Sequence, residues 1–221
     1  MVRVGRPVSA GNLRREIDMP RDTSLRAGTS IASVMLAVSG CVVSSVQPVT
    51  VPLVYRPSPR QLGLVDSFPC NAVARVQASD ARSEKTLGLR THESKPLKAE
   101  VSASGDAGSW IEEGVQKYLT QSGIHFQGGG PELIMSLYSL RTSESILRRS
   151  SYEARIALSS RLQTSAGKSC WEGRIEGVSG NYGYSGSIVD YQETLNGALT
   201  AALLRMAESQ GFRDALCHCA D

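Results

Sequence analysis

The chain is poor in the residues that most chemistry needs. It has three histidines, His92, His125 and His218, and none stands at a diagnostic spacing from a serine or cysteine. It has no Gly-x-Ser-x-Gly elbow and no His-Glu-x-x-His pair, which excludes the hydrolase and zinc-peptidase arrangements those patterns carry. It has no apolar run near the ~20 residues that a membrane-spanning helix requires. It also lacks a real charge bias. The whole chain is +3, but residues 1–40 hold six arginines and three acids; removing them from 24 basic and 21 acidic residues leaves 18 of each. The remaining 181 residues therefore give no electrostatic support to nucleic-acid binding, and none is expected.

What the sequence does have is a leader. Ser30–Cys41 reads SIASVMLAVSGC, a short apolar run, Ile31 to Val38, closed by small residues and a cysteine. Its length suits the ~7–15-residue apolar core of a secretory signal, and Arg21 and Arg26 supply the positive segment ahead of it. Val38-Ser39-Gly40-Cys41 resembles the lipobox of bacterial lipoprotein leaders. That resemblance implies lipidation of Cys41, cleavage before it, and attachment to a membrane through the lipid. Met1–Pro20 are polar and mixed in charge, so Met19 makes the better start of such a leader. Val42 follows the cysteine where an Asp would favour retention in the inner membrane. The expected location is the outer membrane, lipid-anchored and facing the periplasm.

With Cys41 lipidated, Cys70, Cys170, Cys217 and Cys219 remain. In an oxidising compartment they are expected in disulfides, and three connectivities are open. Cys217-His218-Cys219 invites a metal reading. It lies at the C-terminal tail with no companion cluster, and zinc sites usually need four ligands. Neither metal nor cofactor is expected.

Residues 1–40 are read as leader, 41–65 as lipidated N-terminus and tether, and 66–221 as a single domain. Val42–Val65 contains Pro48, Pro52, Pro57 and Pro59, which suits an extended tether, although Val51–Tyr55 could pair as an edge strand. Val73–Ala78 alternates as a half-buried strand, and Asp80-Ala81-Arg82 and a Ser83–Thr86 loop lead to Leu87-Gly88-Leu89-Arg90. Strand content is weaker at Lys98–Ser102. Trp110–Ser122 has helical periodicity, with Ser109 and Glu112 placed as a capping box and Gly123 as C-terminal cap. Gly128-Gly129-Gly130-Pro131 lacks the Lys-Ser/Thr of a phosphate loop and reads as a turn. Glu132–Leu140 is apolar on both faces, the pattern of a central strand, and Arg141–Arg149 reads as a polar connection. Tyr152–Leu162 alternates cleanly, Ser165–Lys168 turns, and Ser169–Tyr182 returns with Glu172, Arg174 and Glu176 facing Arg155 and Arg161. Asp190–Gln210 is the second helix, capped by Asp190 with Glu193 and ended by Gly211. The expected fold is α+β: an antiparallel sheet of five or six strands with two helices on one face, preceded by signal peptide and flexible tether.

The order of these elements, with the D-A-R…L-G-x-R stretch over Asp80–Arg90, resembles the YajG-like family of uncharacterised bacterial lipoproteins from about Cys41 to Leu216. The resemblance implies a lipid-anchored envelope protein of undefined role. Asp80, Arg82 and Glu84 could form an acid–base set, but an Asp–Arg pair in a loop more often braces structure, and Asp80 can cap its own turn. The expectation is therefore no enzyme and no catalytic residue. The leading reading is a binding or accessory module for an envelope protein partner. The alternative is a carrier, or transport auxiliary, holding a lipid or glycan fragment in an apolar pocket.

Overall fold

The computed structural model describes residues 45–56, 68, 75–124 and 130–219. Cys41, Cys70, His125, Gly128 and Gly129 lie outside them, as do residues 1–40, the expected leader, and residues 57–65.

Seven strands and three helices occupy the described residues. They are β1 (Val49–Pro52), β2 (Arg75–Asp80), β3 (Gly88–His92), β4 (Lys98–Ser104), α1 (Ala107–Gln121), β5 (Glu132–Ile146), β6 (Ser150–Gln163), β7 (Ser169–Gly183), α2 (Ile188–Glu208) and α3 (Gln210–His218). All belong to one sheet-based unit, Val43–Asp221. The sheet runs β1-β4-β3-β5-β6-β7, with β2 also on β5. It is mixed and not wholly antiparallel. The β5–β6–β7 meander and β3–β4 are antiparallel, whereas β1 with β4, β2 with β5 and β3 with β5 are parallel. The hairpin signals in the sequence reach only the antiparallel pairs; parallel pairs join segments distant in the chain and leave no local mark.

The Arg141–Arg149 connection is not one: β5 continues through Ile146. Its inward residues are Leu133, Met135 and Leu137, then Leu140, Thr142, Glu144 and Ile146. A bulge between Leu137 and Ser139 shifts the alternation by one residue. That shift makes the first half of the strand look apolar on both faces, and Tyr138 in fact points to solvent.

On β6, Tyr152, Ala154, Ile156, Leu158 and Leu162 are buried while Arg155 and Arg161 are exposed, as the alternation requires. Arg161 meets Glu172 across the hairpin at 2.8 Å, with both side chains more than half exposed. Arg155 pairs instead with Glu153 on its own strand at 2.5 Å.

Helices α1 and α2 cover the inward face. Asp106 caps α1 by accepting from the Ser109 N–H at 2.6 Å, so the helix begins three residues earlier than the Ser109–Glu112 box suggests. Gly123 follows its end at φ +85 as expected. Ser187 caps α2, accepting from the Asp190 N–H at 3.2 Å. Asp190 is therefore in the first turn, where it favours the helix dipole, and is not the cap. Leu195, Leu199, Leu203 and Met206 line the buried face of α2, each worth ~1.5–3 kcal/mol of burial. Gly177 on β7 allows the close approach: a Cβ there would meet the Ala198 carbonyl at 1.9 Å.

Gly211 does not end the second helix. The chain breaks at Ser209, whose extended backbone redirects it into α3, and Gly211 sits inside α3. Phe212 of α3 packs on Trp171 and Phe68, at ring distances of 5.0 and 6.2 Å. Cys219 is bonded to Cys170, closing 49 residues of chain. Cys217 is disulfide-bonded as well.

The expected tether contributes to the fold. Val51 and Tyr55 are fully buried, the Asn196 amide donates to the Val54 carbonyl at 3.1 Å, and Tyr55 shares a hydrogen bond with Thr200 at 3.0 Å. The proline content that suggests a free tether also suits an edge strand, because an edge backbone need not donate to a second neighbour.

Two substitutions test the register of β6. Leu158→Ala should cost ~2–5 kcal/mol in a urea melt through the cavity it opens, and Arg161→Ala under ~1, as exposed ion pairs do. The reverse ranking would mean the strand is wrongly placed.

Candidate functional site

A buried acid organises one end of the sheet. Glu144 is inward on β5, directly opposite Arg90 of β3 on one side and Tyr152 of β6 on the other. It has no exposed surface, so its charge must be matched on the spot. Arg90 Nε donates to its Oε2 at 2.5 Å and the Tyr191 hydroxyl of α2 donates to the same oxygen at 2.8 Å. Oε1 accepts from the Ser150 hydroxyl at 2.7 Å and the Gly186 N–H at 2.9 Å. The Tyr152 hydroxyl lies 3.4 Å from Oε1, but its single proton goes to the nearer Tyr184 carbonyl.

The same groups fix the loop between β7 and α2. Four consecutive residues each make one bond: the Tyr184 carbonyl and Ser187 N–H with the Tyr152 hydroxyl, the Ser185 hydroxyl with Arg90 Nη2 at 3.0 Å, and the Gly186 N–H with Glu144. Arg90 Nη1 also reaches the Gln47 carbonyl, just before β1. Tyr152 and Tyr191 meet edge to face at 4.7 Å.

Burial pushes the Glu144 carboxyl up, but the donations from Arg90, Ser150, Gly186 and Tyr191 outweigh it, and the net shift is below the ordinary glutamate range. Tyr191 moves up, first through burial and then through its bond to Glu144. The carboxylate is thus held ionised with its lone pairs already engaged. Such a group braces; it has no acceptor left over for a substrate proton.

Two open grooves flank this hub. One, about 450 Å³, is lined by Leu147, Arg148, Arg149, Ser150 and Tyr182–Ser185. The other, about 460 Å³, lies between Ser45–Gln47, Arg90, His92, Ile146 and the Ser185–Gly186 loop, so the two adjoin at Ser185. Around the first, Tyr184 is 89 % exposed, Tyr182 76 %, Val189 61 % and Leu147 58 %. Arg148 and Arg149 are exposed on the β5–β6 turn and make no ion pair among the described residues.

No protein-family model matches the chain, and no curated protein is similar to it in sequence. Among solved structures it is similar to a Xanthomonas campestris protein described by the family model DUF330 (11% identity, TM-score 0.41, covering 72% of this chain and 91% of that one). A Caulobacter crescentus protein put forward as a lipoprotein follows at 16% identity and TM-score 0.37, over 48% of this chain and 80% of that one. A minor lipoprotein from Acinetobacter baumannii gives 8% identity and TM-score 0.35, over 67% and 97%. At TM-scores below 0.5 none of them fixes a family or a role for this chain.

The residues singled out in the sequence are dispersed. Asp80 and Arg82 form a bidentate pair, at 2.9 and 2.8 Å, and Lys85 adds a contact at 3.0 Å; Glu84 is exposed beside them. The Asp80 carboxyl also accepts the Arg82 N–H at 3.1 Å, the self-capped turn its position suggests. Arg82's hydrogen bond leads the causes that hold that carboxyl well below its usual range. Arg82 Nη1 reaches the Leu140 carbonyl at 3.5 Å, in the gap where β2 has left β5 and β3 has not begun. The pair is therefore a splice between two strands. His92 contacts Ser94, and His218 Nδ1 meets the Asp214 carbonyl at 2.7 Å. Cys217 and Cys219 are both oxidised, so neither offers a thiolate to a metal.

Glu144 itself was hidden inside the supposed connection. Its signal was the continued alternation Leu140, Thr142, Glu144, Ile146, visible once a one-residue slip at Tyr138 is allowed.

Glu144→Gln leaves the Arg90 charge buried without its partner and should cost about 3–5 kcal/mol at pH 7. A carboxyl whose folded pKa is depressed stabilises above its unfolded value, near 4.3, and loses that contribution as pH falls through the folded value. The deficit of Glu144→Gln, read by urea melts, should therefore shrink below about pH 4. A deficit that stays constant with pH would show that the acid is not held ionised.

Proposed function

We propose that this chain is a bacterial outer-membrane lipoprotein of the YajG-like kind, anchored through Cys41, facing the periplasm and acting by binding rather than catalysis. The observation that carries the reading is Val38-Ser39-Gly40-Cys41 behind an apolar run too short to span a bilayer. Leader removal leaves a mature chain beginning at Cys41, and Val42 favours outer-membrane sorting. Met19 is the start of the leader.

Three features support a docking or accessory module. The buried acid is saturated with donors, the Asp80–Arg82 pair is spent on joining strands, and Tyr182, Tyr184, Arg148 and Arg149 are exposed together at one end. Exposed Tyr and Arg are the residues that dominate contact surfaces. The D-A-R…L-G-x-R resemblance also has a structural reason. Asp80 and Arg82 form the splice, Arg90 is the hub cation, and Gly88 adopts φ +152 against Thr142, where a Cβ would lie 1.8 Å from a carbonyl oxygen.

A second reading, a carrier for a lipid or glycan fragment, is favoured by the two adjoining grooves, each within the ~300–1,000 Å³ of ligand sites. Native mass spectrometry of the purified protein separates the two: a co-purifying small molecule selects the carrier.

The anchor has its own test. Stable membrane attachment needs more than one acyl chain or a second signal. Cys41→Ser should remove the lipid mass and release or mislocalise the protein, and the native chain should sediment with outer-membrane markers in a density gradient. Unchanged fractionation and mass would sink the lipobox, and co-sedimentation with inner-membrane markers would overturn the sorting.

A further inference from the structure

We infer that the end of the domain carrying the Glu144 hub rests on the membrane surface itself, with the β5–β6 turn and the β7–α2 loop against anionic phospholipid. The inference builds on the anchor at Cys41. The segment just ahead of β1 lies at this end. Ser45–Gln47 line a groove with Ser185 and Gly186, and the Gln47 carbonyl is held by Arg90. Four residues of covalent chain separate Cys41 from Ser45, a reach of at most about 14 Å even when fully extended. A lipid on Cys41 therefore ties this end to the bilayer, on a leash shorter than the domain is long.

What this end presents is what a bilayer surface selects. Tyr182, Tyr184, Leu147, Ile188 and Val189 are all exposed there, while the rest of the outward sheet face offers mainly charged and hydroxyl side chains besides the separate Leu89, Tyr138 and Val178. Tyrosine sits well at headgroup level, where its ring is buried and its hydroxyl stays wet. Arg148 and Arg149 project from the same turn, have no ion-pair partner among the described residues and are always charged. Four acids lie nearby. Glu144 is buried and consumed by its donors, Asp190 and Glu193 both accept from the Asn181 amide, at 3.3 and 3.1 Å, and Glu93 accepts from the Ser145 hydroxyl. A mature chain of zero net charge thus carries a rim of two arginines and exposed tyrosines at the end its anchor holds. The hub keeps that rim rigid, because four consecutive residues of the β7–α2 loop are pinned to it, three of them through the backbone.

The test uses the mature lipidated protein, reconstituted through its own anchor into phosphatidylcholine vesicles with or without phosphatidylglycerol. Hydrogen exchange is read over residues 147–150 and 182–189. Exchange there should be slower in the phosphatidylglycerol vesicles, with no change in the Ser165–Lys168 turn at the far end. Each arginine near an anionic surface contributes about fivefold in affinity, so Arg148→Gln with Arg149→Gln removes about thirty-fold and should return exchange to its rate in neutral vesicles. Equal exchange in both vesicles, in a protein that pellets with them, overturns this inference and leaves the anchor standing. A protein that pellets with neither overturns the anchor, and this inference with it.

Discussion

One buried carboxylate sets the terms for half of this domain. Taking Glu144 out of water costs several kcal/mol, and a single opposite charge does not repay that unless the remaining lone pairs also find donors. Here they come from four different parts of the chain: β3, the start of β6, the β7–α2 loop and α2. A slip of one residue in the pairing of β5 with β3 or β6 would turn Glu144 to solvent and strand Arg90 inside. Register, already specified by the apolar alternation on the buried face, is here fixed by charge as well.

The bulge at Tyr138 is the price of that placement. Before it, inward residues fall at Leu133, Met135 and Leu137; without it, Ser143 and Ser145 would face the core in place of Thr142 and Glu144. The bulge also interrupts pairing on the other side of β5, because β2 stops opposite Leu137 and β3 begins opposite Thr142. Arg82 fills the interruption by donating to Leu140, and Asp80 keeps its guanidinium aimed. The two ion pairs are thus parts of one solution. One pulls the strand inward by a residue, and the other mends the edge that this leaves open.

The legibility of each element in the sequence follows from the range of the interactions that make it. β6 was readable because its alternation is uninterrupted and its partners are neighbours in the chain. Both main helices were readable by period, but their first turns were misplaced by two or three residues, because Asp106 and Ser187 cap them ahead of the apolar stripe. α3 was merged into α2, since a helix broken at a serine keeps its apolar spacing through Phe212 and Leu216. The parallel pairs were not readable, nor was the hub, whose partners are 6 to 54 positions apart. A carboxylate in a strand gives no sign, by itself, of facing inward.

The two ends of the long meander are secured by different chemistry. At the turn joining β6 to β7, aromatic packing of Trp171 with Phe212 and the Cys170–Cys219 bond hold α3 to the sheet. A covalent link of that kind lowers the entropy of the unfolded chain and asks little of the surface around it. The opposite end lies ten residues along β6, between Leu162 and Tyr152, some 33 Å away at ~3.3 Å per residue. There, among the described residues, no cysteine is present, and the loop after β7 is held by hydrogen bonds. Those bonds are satisfied from beneath, by Tyr152, Arg90 and Glu144, which leaves the side chains of Leu147, Tyr182, Tyr184 and Val189 free to face outward. A loop whose backbone is fixed from below can keep apolar side chains at its surface without collapsing onto its own core. That is the physical condition for a rim that engages something else.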